Sequence, residues 1–488
     1  MNFREIFNVV GILLILISAL MLIPLGVALY HAFPAINGSM TESRALAWSI
    51  LASGLSGSLL YGLLPKGIEK MRNPEGFLIV ILSWIMAAFF GALPFYLSGL
   101  CPSFLDAYFE SMSGLTTTGA SILSHLDFKP PGLMFWRSMM QWLGGMGIIM
   151  LYLAIFPALG MGNLHLFRAE IPGGLTVERV KPRLAETAQL LWKTYTLLTL
   201  LETLLLRLGG MNWYDAVCHS FATLSTGGFS PHQGNVAQFG NPFVEWVIIF
   251  FMFLAGMNFL LLHQVSNKNF GRLKTHSEFR FYLRWLVLAV VLVHAARWWF
   301  QPATAPGLRD TVFAVTSLGT TTGFTTADYA LWPGLTQLWL LVLMLVGGSS
   351  GSTSGSIKCI RFIILWKTIY RELVKMVYPQ AIVAVKVGGE AVESDHVFNA
   401  LSLTAMYIGL AGLGFILLAA MGLDWTTALS ASFACLFNVG PGLGQVGPAG
   451  NFAHLPGAAK GLLTLMMVMG RLEILGFLLP FLPMTWRK

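Results

Sequence analysis

Apolar stretches long enough to cross a bilayer, about 20 residues each, lie at 5–30, 46–64, 76–99, 133–158, 184–206, 243–263, 279–300, 335–346 continuing past 357, 397–421 and 459–484. They predict ten spans in an all-α polytopic membrane protein. Between spans, a polar segment of fixed form returns four times. Asp106 to Gly119 ends Thr116-Thr117-Thr118-Gly119, and Asp215 to Gly228 ends Ser225-Thr226-Gly227-Gly228. Asp310 to Gly323 ends Thr320-Thr321-Thr322-Gly323, and Thr427 to Gly440 ends Phe437-Asn438-Val439-Gly440. The distance from opener to glycine is the same in all four. Ser111, Ser220 and Ser432 share another offset, and Leu115, Leu224 and Leu436 a third. The pattern predicts four units of span, short helix, polar loop and span, near 71–165, 166–275, 276–390 and 391–488, behind a two-span hairpin over 1–70. Four such repeats in one polypeptide can surround one axis.

Irregular backbone cannot face lipid, because its amides and carbonyls would go unsatisfied; it survives only where it is buried in protein or lines a water-filled cavity. Four equally spaced loops rich in Thr, Ser, Asn and Gly therefore point to rings of carbonyls that replace an ion's water shell. Glycine reaches positive φ without steric cost, which lets successive carbonyls turn to the axis. No carboxylate lies in the loops, so an ion can leave again. The opening Asp residues read as N-caps that accept the first-turn amides. The opposite, negative helix ends then face the loops and favour a cation.

Composition narrows the class. The chain is 56% hydrophobic and 11% charged, against about 25% charged in a soluble domain. The net charge of +8 predicts no nucleic-acid partner, because its distribution follows topology. Arg4, Lys66, Lys70, Arg72, Arg168, Arg179, Lys181, Arg183, Lys268, Arg272, Lys274, Arg280, Lys358, Arg361, Lys367, Arg371, Lys375, Lys386, Arg487 and Lys488 fall on one side if the spans alternate. The positive-inside rule makes that side cytoplasmic, with both termini inside and all four loops entering from outside. The first apolar stretch is too long for the core of a signal peptide. Cys101, Cys218, Cys359 and Cys435 have no metal or redox spacing and are expected to be free, buried packers. There is no HExxH, paired intramembrane aspartate or spaced His/Cys cluster, so an enzyme is not expected, and no covalent cofactor either. A GxGxxG after a strand is also absent, so any nucleotide control needs a second chain. The basic loop Lys358–Lys386 and the 165–183 loop are candidate docking surfaces for it.

Two further features stand apart. Gly347-Gly348-Ser349-Ser350-Gly351-Ser352-Thr353-Ser354-Gly355-Ser356 interrupts the last span of the third unit. Such a run cannot stay helical in hydrocarbon, and it is expected to form a loop beneath the polar ring and to act as a gate. Lys358 should then sit at the cytoplasmic mouth. Arg471 lies near the middle of the 459–484 span, where a charge must face the interior or water. It either holds a positive barrier below the ring or pairs with a carboxylate. Glu473, on nearly the opposite helix face, is a poor partner for it.

Phe109-Glu110-Ser111-Met112-Ser113-Gly114-Leu115-Thr116-Thr117-Thr118-Gly119, Gln141-Trp142-Leu143-Gly144-Gly145-Met146-Gly147-Ile148-Ile149, His219-Ser220-Phe221-Ala222-Thr223, Gly440-Pro441-Gly442-Leu443-Gly444 and Gly470-Arg471-Leu472-Glu473 closely resemble the TrkH/TrkG-type potassium-uptake subunits of the TrkH–KtrB–HKT superfamily. The resemblance covers essentially the whole chain, N-terminal hairpin included. It implies four pseudo-symmetric membrane–pore–membrane units around one potassium pathway in the bacterial inner membrane. The filter then maps onto Thr117, Thr118 and Gly119; Thr226, Gly227 and Gly228; Thr321, Thr322 and Gly323; and Asn438, Val439 and Gly440. The gating loop maps onto Gly347–Ser356, with Gly347, Gly348, Gly351 and Gly355, and the family's last-span arginine onto Arg471. Potassium is the implied cargo; a sodium-permeable or sodium-coupled pathway of the same architecture is the alternative. Members are usually homodimers on a cytosolic nucleotide-binding ring of the TrkA type. The chain departs from the pattern in its serine-rich loop and in Asn438-Val439, where the Thr pair is missing.

Overall fold

A computed structural model describes residues 3–32, 41–62, 73–147, 184–266, 271–301 and 307–483. The 165–183 loop and the basic residues Lys66, Lys70, Arg72, Lys268, Arg487 and Lys488 lie outside the described residues. The fold is all-α, with a single two-residue-per-strand hairpin, Lys386–Val387 with Glu390–Ala391, among the described residues.

The N-terminal hairpin pairs Phe3–Leu20 and Leu22–Ala32 with Thr41–Gly62. Small residues let the two arms touch. A Cβ on Gly11 would lie 2.8 Å from the Gly57 carbonyl, and Ser53 Oγ donates to the Leu14 carbonyl at 2.9 Å. This is the close backbone approach by which helices associate where lipid gives no hydrophobic drive.

Each of the four repeats then has the same parts. A long leading helix comes first: Asn73–Leu97, Leu184–Leu208, Ser277–Phe300 and Ser394–Ala420. A 12-residue short helix follows: Phe104–Leu115, Trp213–Leu224, Leu308–Gly319 and Trp425–Leu436. A trailing helix completes it: Pro131–Gly145, Pro242–Ala255, Gly334–Leu345 and Gly457–Arg471. All four trailing helices start at or directly after proline, and the first of them has one on either side of its start, Pro130 and Pro131. Proline fits there because its missing N–H is an orphan anyway.

The short helices correct one expectation. Asp106 and Asp215 are third in their helices, and Ser103 and Asn212 hold the cap position. The Asp106 amide donates to Ser103 Oγ at 3.1 Å, while Ser103 Oγ donates to the Asp106 carboxylate at 2.7 Å. Asn212 and Asp215 exchange bonds in the same way at 2.7 and 2.9 Å. These are N-caps whose side chain also binds the carboxylate at the third helical position, a side-chain variant of the capping box. Only Asp424 in the fourth repeat is itself a cap, accepting from the Thr427 amide at 3.0 Å.

The ten apolar stretches all carry helix, but the expectation of ten simple spans is too plain. Five described helices are long and apolar enough to cross a membrane alone, and two further pairs qualify only as helices bent by 109°. Those pairs are Pro242–Ala255 with Phe259–Ser266, and Gly457–Arg471 with Ile474–Phe481. Arg471 therefore ends a helix, at the break inside the last of these pairs. Breaks fall where a side chain has no room: a Cβ on Gly144 would lie 1.7 Å from the Leu115 carbonyl, and one on Gly470 1.9 Å from that of Leu436. The first and fourth trailing helices stop against the ends of the short helices.

Candidate functional site

The four polar segments meet. In each, a non-glycine residue takes a left-handed conformation: Thr117 at φ 55°, Thr226 at 53°, Thr321 at 62° and Asn438 at 53°. Two positions on, a glycine does the same: Gly119 at 82°, Gly228 at 74°, Gly323 at 81° and Gly440 at 98°. Left-handed non-glycine residues cost about 1–3 kcal/mol each and persist where surrounding structure over-determines them. The surroundings here are the other three segments. A Cβ on Gly119 would lie 2.2 Å from the Gly227 carbonyl oxygen, one on Gly228 2.0 Å from that of Thr322, one on Gly323 2.2 Å from that of Val439, and one on Gly440 2.6 Å from that of Thr118. Each glycine abuts the carbonyl before the glycine of the next repeat, and the fourth repeat closes on the first. The cycle is complete within one chain.

The side chains of these segments are fully buried, and most brace the ring. Thr116 and Thr118 hydroxyls share a hydrogen bond at 2.7 Å, and Thr320 and Thr322 one at 2.8 Å. Asn438 Nδ2 donates to Thr118 Oγ1 at 2.8 Å and to the Met467 carbonyl at 3.0 Å. So the residue that breaks the Thr pattern ties the fourth repeat to the first. Above the ring, Gly119, Ser121, Gly228, Asn235, Gly323, Thr325 and Gly440 line a small polar vestibule.

Outside the ring, ion pairs join the repeats. Lys460 Nζ meets the Asp106 carboxylate at 2.6 Å, linking the fourth trailing helix to the first short helix. Glu245 meets Arg309 at 2.6 Å, linking the second repeat to the third. Glu245 and Lys460 hold the same position from their helix caps, Asn241 and Pro456. His232 sits in the loop after the second ring segment, between Asp127 and Asp215 at 2.8 Å each. The hydrogen bond to Asp215, helped by that to Asp127, raises the imidazole's affinity for its proton against partial burial.

Below the ring lies the Gly347–Ser356 segment. It is irregular, as its composition predicts, and its two ends meet in a parallel bridge between Val346 and Ile357. The Gly355 amide donates to Thr321 Oγ1 at 2.7 Å, and Thr353 Oγ1 donates to the Leu224 carbonyl at 2.8 Å. The serines satisfy local backbone groups. Ser354 Oγ accepts from the Gly348 amide at 2.9 Å, and Ser356 Oγ donates to the Met344 carbonyl at 2.7 Å. Glu278 grips the loop from the third leading helix, accepting from the Ser350 amide at 2.7 Å, Ser350 Oγ at 3.0 Å and the Ile360 amide at 3.2 Å. Asn258 donates to the Ser350 carbonyl at 2.7 Å.

Arg471 reaches into the same place. Its guanidinium donates to the carbonyls of Gly144, Gly145 and Thr353 at 2.6, 2.7 and 2.9 Å, and to Thr117 Oγ1 at 3.2 Å. The first trailing helix ends at Gly145, and the Gly144 carbonyl also accepts from the Gly147 amide at 3.0 Å. Glu473 pairs instead with Arg361 at 2.5 Å. Lys358 is buried, with its ammonium turned back onto the Ser354 carbonyl; it closes the loop from beneath rather than standing in an open mouth. The four cysteines are free and buried.

Sequence reasoning did not pick out Glu278, Asn258 or the Gly144 and Gly145 carbonyls. Their roles come from tertiary approach alone. Gln141 was visible only as a polar residue inside a motif.

Comparison with known proteins agrees with this geometry. A family profile for TrkH, described as a cation transport protein, matches residues 47–488. The Trk system potassium uptake protein TrkH of Escherichia coli K12 is 39% identical and that of Halomonas elongata 37% identical, each with full coverage of both chains. The TrkG protein of E. coli K12 is 34% identical over 99% of both chains. The crystal structure of the potassium transporter TrkH from Vibrio parahaemolyticus superposes over the full length of both chains with a TM-score of 0.88 at 34% identity. The chain belongs to the TrkH family of cation transport proteins.

Proposed function

We propose that this chain takes potassium into the cell through a pathway whose narrow part is the four-segment ring and whose closed state is held by Gly347–Ser356 and Arg471. The observation that carries the reading is the closed cycle of glycine-to-carbonyl contacts, since it gathers four irregular, oxygen-rich backbones at one axis. Thr117, Thr118 and Gly119, with Thr226, Gly227, Gly228, Thr321, Thr322, Gly323, Asn438, Val439 and Gly440, replace part of the ion's water shell with carbonyl oxygen. Potassium is cargo, in line with the names of the relatives. The loop bars the way below the ring, and the positive guanidinium among buried carbonyls opposes a cation there. Conduction follows when the loop withdraws. The chain works in the bacterial inner membrane, with both termini in the cytoplasm, as a homodimer on a cytosolic nucleotide-binding ring of the TrkA type that draws on the basic cytoplasmic loops.

The test is rubidium flux into proteoliposomes. Gly119→Arg or Gly323→Arg should abolish flux while the purified protein keeps its elution profile. Normal flux in both variants would sink the proposal. A sodium-permeable pathway is the second reading, favoured by Asn438 standing where the other three repeats carry threonine. Reversal potentials in mixed potassium and sodium separate the two.

A further inference from the structure

The ring is closed by four equivalent carbonyls, but one is held differently. Gln141 Nε2 donates to the Gly227 carbonyl at 2.6 Å, and the Phe229 amide donates to Gln141 Oε1 at 3.0 Å. The primary amide thus brackets Gly228, bonding the residues on either side of it. Among the described residues, the matching carbonyls of Thr118, Thr322 and Val439 accept no hydrogen bond.

Register explains the difference. Counted from the helix caps Pro130, Asn241, Pro333 and Pro456, Gln141 corresponds to Met252, Met344 and Met467. Three repeats place a thioether where the first places an amide. The residue before the ring glycine changes with it. It is Thr118, Thr322 and Val439 in three repeats but Gly227 in the second. A Cβ on Gly227 would lie 2.4 Å from Gln141 Cδ. The amide occupies the space that a β-branched side chain fills elsewhere, so Gln141 and Gly227 form one exchange. One turn earlier, Arg137 reinforces the hold, donating to the Ser230 carbonyl at 2.9 Å while its guanidinium stacks 3.4 Å over Phe229. Its register partners are Ile248, Leu340 and Leu463.

From this geometry we propose that Gln141 is a positioning residue that sets cation discrimination by fixing the second ring segment against the first. The inference rests on the ring being the ion filter. Discrimination among cations of different radius depends on how firmly carbonyls are held and how much of their dipole is left for the ion. A carbonyl that accepts a short side-chain bond is both fixed in place and partly committed. The matching carbonyls of the other three segments carry no such side-chain bond among the described residues, so loosening this one makes the cavity yield to a smaller ion.

The experiment measures rubidium flux with sodium as competitor, and reversal potentials in mixed potassium and sodium, for purified protein in proteoliposomes. Gln141→Glu keeps the volume but loses the N–H donor. Gln141→Met imports the side chain of the other repeats. Both should lower discrimination against sodium by about fivefold, the factor that an ordinary buried hydrogen bond is worth, with maximal rubidium flux retained. The paired variant Gln141→Met with Gly227→Val restores the exchange used by the fourth repeat and should recover discrimination. If the unmodified protein discriminates and both single variants match it, the inference is wrong although the filter reading stands. If the unmodified protein carries no alkali cation, the filter reading itself fails. Should Gln141→Met fail to fold, Gln141→Glu decides alone, and unchanged discrimination in it overturns the proposal.

Discussion

Arg471 and Thr353 are joined by a hydrogen bond of 2.9 Å from guanidinium to carbonyl. It connects the end of the last long helix to the middle of a loop that belongs to a different repeat. The same guanidinium touches the ring at Thr117 and the broken helix end at Gly144 and Gly145. One side chain therefore senses ring, loop and scaffold together. Removing it should release the loop. Arg471→Ala is expected to raise rubidium flux in the absence of any regulator. It should also lower thermal stability, since a buried acceptor left bare costs about 1–3 kcal/mol. Flux that falls or stays level would favour a purely structural role.

Glu278 and Asn258 hold the Ser350 peptide from its two ends. Glu278→Ala and Asn258→Ala should each increase basal flux, with the larger effect at Glu278, which also holds the Ile360 amide. Accelerated amide exchange confined to 347–360 in these variants, read by mass spectrometry, would trace the effect to the loop.

Gly228 has no space for a side chain, because a Cβ there would meet the Thr322 carbonyl at 2.0 Å. Its φ of 74° adds strain for any L-residue. Gly228→Ala should reduce flux roughly tenfold or more, in keeping with about 1–3 kcal/mol of backbone strain placed directly in the ring. Gly240→Ala, at φ 55° with open space around it, should leave flux near normal and serves as the control.

Lys460 and Asp106 are both about nine-tenths buried, at 9% and 10% side-chain exposure. Breaking a buried pair from one side costs about 3–5 kcal/mol, whereas replacing both partners is often much cheaper. Lys460→Met should lower the melting temperature of the purified protein more than Lys460→Met with Asp106→Asn does. Equal losses would show that the pair contributes little to closing the fourth repeat on the first.

His232 bridges Asp127 and Asp215 above the ring. Its folded pKa is raised, first by the hydrogen bond to Asp215. The stabilisation is therefore fully present below the ordinary imidazole value of about 6.5, and it is lost as pH rises through the folded value. His232→Gln should lower the melting temperature near about pH 5.5, where the carboxylates are still ionised, and have little effect in alkaline buffer. A pH-independent difference would assign the loss to packing.

Much of this architecture was legible in the chain. Hydropathy marks where segments prefer lipid or protein interior to water, and the equal spacing from Asp106, Asp215, Asp310 and Thr427 to a glycine marks the repeat. Both are local properties, carried by neighbouring residues and surviving without knowledge of the fold. Local chemistry likewise identified the 347–356 loop, since ten small residues cannot hold a helix in an apolar medium.

Other features depended on residues far apart. Hydropathy could not see that the trailing helices break, because a bent helix buried in protein is as apolar as a straight one in lipid. The capping roles of Ser103 and Asn212 were masked by the more conspicuous acids three residues later. Arg471 could be called buried from sequence, but its carbonyl partners at 144, 145 and 353 come from two distant parts of the chain. Gln141 carries no local sign of its task, since an amide declares its role only when a donor and an acceptor are brought within 3 Å of it. Sequence by itself determined the helices, the repeat and the polar loops; the folded chain alone decided which carbonyl meets which glycine, because those approaches are set by packing between repeats.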